Sequence, residues 1–317
     1  MASIDGVVVI LGTGGTIAGT ADRATDSVGY RAARLAVEAL VAAVPALGGL
    51  PIECQQVAQL DSKDMGPEIW LALAQALSQQ LSRPEVCGVV VTHGTDTLEE
   101  TAYFLHRVLP QSSKPVVLTA AMRPATALLA DGPQNLLDAV TLARVGAWQG
   151  VHAVLGARVY AAVDLRKLHG WRIDAFEAGD AGELGLVQDG MVRRFRESPA
   201  RAPHAAATQL PPRAQDWPVV DIVPSHAGAR GAVVDALCRA GAAGLVIAGT
   251  GNGSVHRDLL QAARRAAEAG VTVVRATRCL RGGVFGHAQD ALPSYGELTP
   301  WQARIELMLD LLLRRAP

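Results

Sequence analysis

Val89–Ala102 reads VVVTHGTDTLEETA, a β-branched run that breaks at His93-Gly94 and gives way at once to a helical pattern. Three valines with no polar alternate read as a strand buried on both faces, the habit of parallel strands covered by helices. Behind it, Thr97 with Glu100, or Asp96 with Glu99, fits a capping box that opens the next helix. Thr95 and Asp96 then stand at the carboxyl end of a strand and the amino end of a helix. The first N–H groups of a helix lack intrahelical partners and its dipole favours negative charge there, so this edge of an open α/β sheet is where ligands settle. A hydroxyl beside a carboxylate in that place is either a pair of caps or a site of chemistry, and the stretch alone leaves both readings open.

Outward from this block, Val7–Leu11 reads as a short apolar strand followed by Gly12-Thr13-Gly14-Gly15-Thr16. Glycines let the backbone turn tightly and approach a ligand closely. The loop lacks the G-x-G-x-x-G register of a dinucleotide fingerprint, and no acidic residue ends a second strand about twenty positions on. Two hydroxyls, Thr13 and Thr16, remain in a glycine frame, as turn caps or as ligand contacts. Ala18–Gly29 is small and polar, suited to a mobile lid, and Tyr30 follows it ahead of a helix expected over 34–44. Strands are expected at 52–58 and 115–121, helices at 67–81 and 132–147, and two short strands within 151–163. Pro67 fits the first turn of its helix, where its missing N–H is not needed. This alternation predicts an α/β fold, a large amino-terminal domain with a doubly wound, mainly parallel sheet and right-handed crossovers. Beyond Lys167 the pattern weakens, and 198–217, rich in Ala, Pro and Arg, reads as a linker. Strands at 219–223, 244–248 and 271–275 and helices at 232–240, 255–269 and 300–314 then predict a smaller carboxyl-terminal α/β domain. The expected organisation is 1–197, a linker over 198–217, and 218–317.

The chain has 317 residues, half of them hydrophobic, and a formal net charge of −1. Its basic residues are scattered, so neither nucleic acid nor an anionic membrane is expected as a partner. No apolar run reaches the ~18 residues of a membrane span. MASIDG leads directly into VVVILG with no signal-peptide pattern. Cys54, Cys87, Cys238 and Cys279 are widely spaced, with no metal-binding spacing, and read as reduced thiols of a cytoplasmic protein. No metal and no organic cofactor is expected.

Ile10–Gly19 (ILGTGGTIAG), Asp61–Met65 (DSKDM), Val91–Ala102 (VTHGTDTLEETA), Ala121–Pro124 (AMRP) and Gly249–Ser254 (GTGNGS) together resemble the bacterial-type L-asparaginases, over nearly the whole chain. The resemblance implies a large and a small α/β domain and hydrolysis of the side-chain amide of L-asparagine to L-aspartate and ammonia, with weaker action on L-glutamine left open. It implies a covalent acyl-threonine intermediate and a homotetramer, a dimer of dimers, in which a neighbouring subunit completes each site. Matched residue by residue, Thr16 takes the nucleophile position and Tyr30 that of the lid tyrosine. Thr95, Asp96 and Lys167 take the second Thr–Asp–Lys group. Ser62 falls where the substrate's α-carboxylate is held and Asp96 where its α-amino group is bound. Gly15, Lys63, Gly94 and Ala120 fall among the substrate-binding positions, and Asn252, Ser254 and Gln289 among those a neighbouring subunit supplies.

This assignment suits the residue chemistry. A threonine hydroxyl needs its proton removed as it attacks an amide carbon, which Tyr30 can relay. A desolvated lysine is the easier to hold neutral as a base for Thr95 or a water. Backbone N–H groups near Thr95 and the glycine turn suit an oxyanion hole. His93 is expected to be structural, its side chain facing away from Thr95. Two positions depart from the family. Lys63 stands where members with secretory properties often carry a glutamine that helps hold the α-amino group; its ammonium either turns to solvent or to Asp61 or repels the substrate's α-ammonium, and weaker substrate binding than a glutamine would give is expected. Gln289 replaces a glutamate that pairs with the lid tyrosine, and an amide cannot supply charge. The competing readings are an asparaginase-like subunit of a tRNA-dependent amidotransferase and a non-catalytic nucleotide-binding module.

Overall fold

The computed structural model describes residues 5–109, 112–199, 209–286 and 292–315. The chain divides into two compact units, Met1–Gln209 and Leu210–Pro317. The expected linker at 198–217 straddles that division. Residues 200–208 of it lie outside the described residues, while Ala214–Asp216 forms a 3-10 turn and Trp217 is buried.

In the first unit, β1 (Val7–Gly14), α1 (Val37–Ala42), β2 (Ile52–Leu60), α2 (Pro67–Ser82), β3 (Val86–Thr92), α3 (Leu98–Val108), β4 (Pro115–Thr119), α4 (Gly132–Ala143) and β5 (Gly150–Leu155) alternate as the sequence pattern predicts. Five short strands follow: β6 (Arg158–Ala161), β7 (Arg166–Lys167), β8 (Phe176–Glu177), β9 (Gly185–Gln188) and, closing a hairpin with β9, β10 (Met191–Arg194). The eight-stranded sheet runs β10-β9-β6-β5-β4-β3-β1-β2. Its β2-β1-β3-β4-β5 portion is parallel, whereas β6, β9 and β10 add antiparallel. The sheet is therefore mixed: β5 and β6 are the two short strands expected within 151–163, whereas the weak pattern beyond Lys167 did not announce β9 and β10.

Every residue of β3 is buried, because helices cover both faces of the central strands. Ile10, Val90 and Val117 share one core cluster with Leu136, Val140 and Trp148. Gly12 pairs with Thr92, and Thr92 with Thr119, so β1, β3 and β4 end at one level. The helix expected over 34–44 is shorter, since Pro45 begins a separate 3-10 turn. The expected capping box does not form: Thr97 is the N-cap of α3 but makes no side-chain cap bond. Its hydroxyl instead donates to the Ser62 carbonyl (2.8 Å), and the Glu99 carboxylate accepts the Lys167 N–H (3.0 Å). Both candidate capping residues serve tertiary contacts.

The second unit is a three-stranded parallel sheet of β11 (Val220–Pro224), β12 (Gly244–Gly249) and β13 (Thr272–Thr277), in that order, with α5 (Ala232–Arg239), α6 (Arg257–Glu268) and α7 (Pro300–Arg315). Val234, Ile247, Leu259, Ala263 and Val273 form its core. No helix among the described residues is long and apolar enough to cross a membrane.

Candidate active site

The strand order 2-1-3-4-5 reverses direction between β1 and β3, and the crevice at such a reversal is the natural ligand site of an open α/β sheet. Thr16 opens a 3-10 turn right after β1, and Thr95 follows β3. The two loops touch. Gly15 sits at φ 79°, and a Cβ on it would lie 2.3 Å from the Gly94 Cα, while one on Gly94 would lie 2.4 Å from the Ser62 hydroxyl. Side chains at either position would push the threonine-bearing loops apart. Below them, the Thr13 hydroxyl donates to the Thr92 carbonyl (3.0 Å) and ties the two strands beyond their ladder.

The Thr16 Oγ1 and the Tyr30 phenol lie 2.7 Å apart, either able to donate. Thr16 is 7% exposed, so the phenol folds back over a nearly covered hydroxyl. Two backbone bonds between Thr20 and Arg31, each 2.9 Å, close the lid into a loop. Four further bonds fasten it to the segment after β4: the Ala125 N–H donates to the Gly19 carbonyl (2.9 Å), the Ala21 N–H to the Thr126 hydroxyl (2.8 Å), that hydroxyl to the Ala21 carbonyl (3.3 Å), and the Leu128 N–H to the Ala24 carbonyl (2.9 Å). Asp131 shapes that segment by accepting the Met122 and Arg123 N–H groups, both at 2.9 Å. Nothing in the sequence pattern announces this fastening, since its bonds join backbone groups or use one threonine hydroxyl.

On the β3 side, the Lys167 ammonium donates to the Thr95 hydroxyl (2.9 Å) and to the Asp96 carboxylate (2.5 Å). The lysine side chain is 13% exposed, that of Asp96 56%. Lys167 reaches the site from β7, which among the described residues pairs with β8 alone, at Lys167–Phe176 and Arg166–Glu177. The Ser62 hydroxyl accepts the Asp96 N–H (3.2 Å), so the residue is fixed between both loops. Lys63 turns away: its ammonium meets Asp61 (2.9 Å) and Asp64 (3.2 Å) on the surface, the first of the two outcomes expected for it.

His93 is fully buried, its Nδ1 2.7 Å from the Gly94 carbonyl and its Nε2 3.0 Å from the Thr101 hydroxyl. A carbonyl can only accept, so the proton is on Nδ1. Trp70 Nε1 donates to Thr101 Oγ1 (2.9 Å), leaving the threonine proton for Nε2. Burial pushes the imidazole down to about 4, and the ring is a neutral buttress beneath Gly94. Glu99 is 8% exposed, and burial pushes its carboxyl up to about 7 against the opposing pull of the Lys167 N–H.

Ala120, at the end of β4, is wholly buried, and its carbonyl accepts the Asn135 amide (2.9 Å). Asn252 and Ser254 belong to the second unit. The Asn252 amide exchanges two 2.8 Å bonds with the Phe285 backbone, and Ser254 closes a tight turn with Thr250. Gln289 lies outside the described residues. The first unit thus assembles Gly15, Thr16, Tyr30, Ser62, Gly94, Thr95, Asp96 and Lys167 at one sheet edge, flanked by Lys63 and Ala120.

Two family models match: "Asparaginase, N-terminal" over residues 7–200 and "Glutaminase/Asparaginase C-terminal domain" over 219–315. L-asparaginase 2 of Escherichia coli (strain K12) is 37% identical over 319 residues, covering 98% of this chain and 90% of that protein. A glutaminase-asparaginase of Pseudomonas fluorescens biotype A is 35% identical, covering 96% and 86%. The solved structure of a probable cytoplasmic L-asparaginase from Campylobacter jejuni superposes with a TM-score of 0.89 at 36% identity, covering 96% of this chain and 95% of that one.

Proposed function

The chain belongs to the bacterial-type asparaginase/glutaminase family, and from that membership we propose that it hydrolyses the side-chain amide of L-asparagine to L-aspartate and ammonia, with L-glutamine a weaker substrate. The observation that carries this reading is the convergence of two nearly buried hydroxyls on one sheet edge, each with its own proton partner: Tyr30 at 2.7 Å from Thr16 and Lys167 at 2.9 Å from Thr95.

In this reading Ser62 holds the substrate's α-carboxylate and Asp96 its α-ammonium. The Thr16 oxygen attacks the amide carbon while Tyr30 relays its proton towards the leaving nitrogen. Backbone N–H groups around Gly15 and Thr95 stabilise the tetrahedral oxyanion, an effect often worth about 3 kcal/mol per donor. The C–N bond breaks, ammonia leaves and a β-acyl ester remains on Thr16. Water, losing a proton to the Thr95–Lys167 pair with Lys167 as the neutral amine, then cleaves the ester, and aspartate leaves as the Thr16 oxygen takes a proton back through Tyr30. Hydroxyl, amine and carboxylate groups supply every proton movement in this sequence. Completion of each site by Asn252, Ser254 and Gln289 of a neighbouring copy, in a homotetramer, belongs to the same proposal. So does residence in the cytoplasm, which four free thiols suit.

The test is Thr16→Ala. Turnover is expected to fall by about a thousandfold or more, with the fold intact by circular dichroism. Ammonia release near the parent rate from a clean preparation would remove Thr16 from the reaction. Release of ammonia from free asparagine without tRNA separates this reading from an amidotransferase subunit, and a nucleotide-induced thermal shift would favour a nucleotide-binding module.

A further inference from the structure

Lys167 is held at both ends by the segment that opens α3. Its ammonium meets Thr95 and Asp96, while its backbone N–H donates to Glu99 Oε2 at 3.0 Å. Glu99 follows Asp96 by three positions and Thr95 by four, the spacing that aligns side chains along one helical face. The neighbouring Leu168 N–H donates to the Ala175 carbonyl (2.8 Å), as expected where alternate N–H groups of a strand point to opposite sides. The Lys167 N–H is thus directed away from β8 and towards α3. A carboxylate that is 8% exposed has given up hydration, and the Lys167 N–H is one of the groups that compensates it.

We propose that Glu99 is a positioning residue for the Lys167 proton transfer, fixing the lysine backbone against α3 so that its side chain reaches the Thr95 hydroxyl. The inference rests on the assignment of Lys167 to that transfer. The anchor matters because β7 is a two-residue strand paired with β8 at two positions. Four rotatable side-chain bonds separate that backbone from Nζ, so a small backbone shift is carried to the ammonium. Misplacement of a reacting group by about 1 Å can lower a rate roughly a hundredfold.

The experiment measures asparagine hydrolysis by Glu99→Ala, Glu99→Asp, Glu99→Gln and Lys167→Met in the full-length chain. Glu99→Ala is expected to lower kcat by about ten- to a hundredfold while KM stays within about threefold. Glu99→Asp, one methylene too short to reach, is expected to follow it and stands in if the alanine variant does not fold. Glu99→Gln keeps an oxygen acceptor and is expected to return kcat to within about threefold of the parent. The proposal is overturned if the alanine and aspartate variants keep parental kcat, if the loss falls on KM, or if the glutamine variant is as impaired as alanine. Lys167→Met retaining turnover would instead overturn the role of Lys167 itself. Lys167→Met inactive beside fully active Glu99 variants would remove Glu99 alone.

Discussion

Thr16 receives its partner from a surface loop, whereas Thr95 receives its partner from a strand pinned to a buried carboxylate. Around the first, residues 22–25 and 27–29 are exposed, and the lid is fastened by a few bonds to an equally superficial segment. Around the second, His93, Thr101 and Trp70 form a buried hydrogen-bonded chain under Gly94, and Glu99 anchors the lysine. Local opening follows burial, so the lid half is the one suited to admit substrate and the lysine half the one suited to stay rigid. In the proposed reaction one site thus combines a proton partner on a loop suited to opening with another on a strand suited to staying in place.

Tyr30→Phe puts the largest strain on this contrast. It deletes the phenol that meets Thr16 but leaves the lid's backbone bonds intact, so kcat is expected to fall by about a hundredfold or more while KM and thermal stability change little. Steady-state kinetics beside a melting curve reads both. A variant keeping half of parental turnover would make the phenol a lid anchor rather than a proton partner.

Acid places the opposite demand, on the rigid half. His93 and His152 are both held at about 4, below the 6.5 of a free imidazole, by burial. Between those values the unfolded chain binds protons that the folded one does not, so their stabilisation is complete above pH 6.5 and is lost as pH falls through 4. Glu99 has the reverse sign: raised from 4.5 to about 7, it stabilises below 4.5 and ceases to do so as pH rises through 7. From pH 4.5 to 6.5 the two histidines outweigh the one glutamate. The set contributes a rise in unfolding free energy of roughly 1.4 kcal/mol per pH unit. Glu99→Gln removes the opposing group, and urea titrations at pH 4.5, 5.5 and 6.5 are expected to show a slope steeper by a similar amount. An unchanged slope would mean that Glu99 does not titrate in this range.

The same contrast explains what the sequence made legible. The parallel strands and the edge bearing Thr16 and Thr95 are written in unbroken apolar runs ending in glycine and threonine, a local signal. The lid's fastening is not, because Ala125 and Leu128 act through their backbones and any residue but proline could do so. β7 escapes periodicity because two residues have no period, and only the family resemblance points to Lys167. Glu99 was visible as a capping partner, but a buried contact across 68 positions took its carboxylate instead, and nothing local distinguishes those outcomes.

Lys63 gives the smallest expected effect and sharpens where the site ends. The resemblance sets Lys63 where members with secretory properties often carry a glutamine expected to help hold the substrate's α-ammonium; an ammonium facing the same group would repel it. The structure turns Lys63 outward to Asp61 and Asp64, with its side chain 62% exposed, so solvent screens its charge. The repulsive part of the expected penalty therefore drops out, and only the missing amide contact remains. Lys63→Gln is expected to lower KM for asparagine by no more than about threefold and to leave kcat as it was. A tenfold or larger fall in KM, absent in 0.5 M salt, would place the ammonium inside the substrate's electrostatic reach and move the rigid half's boundary outward to include the turn at Asp61–Asp64.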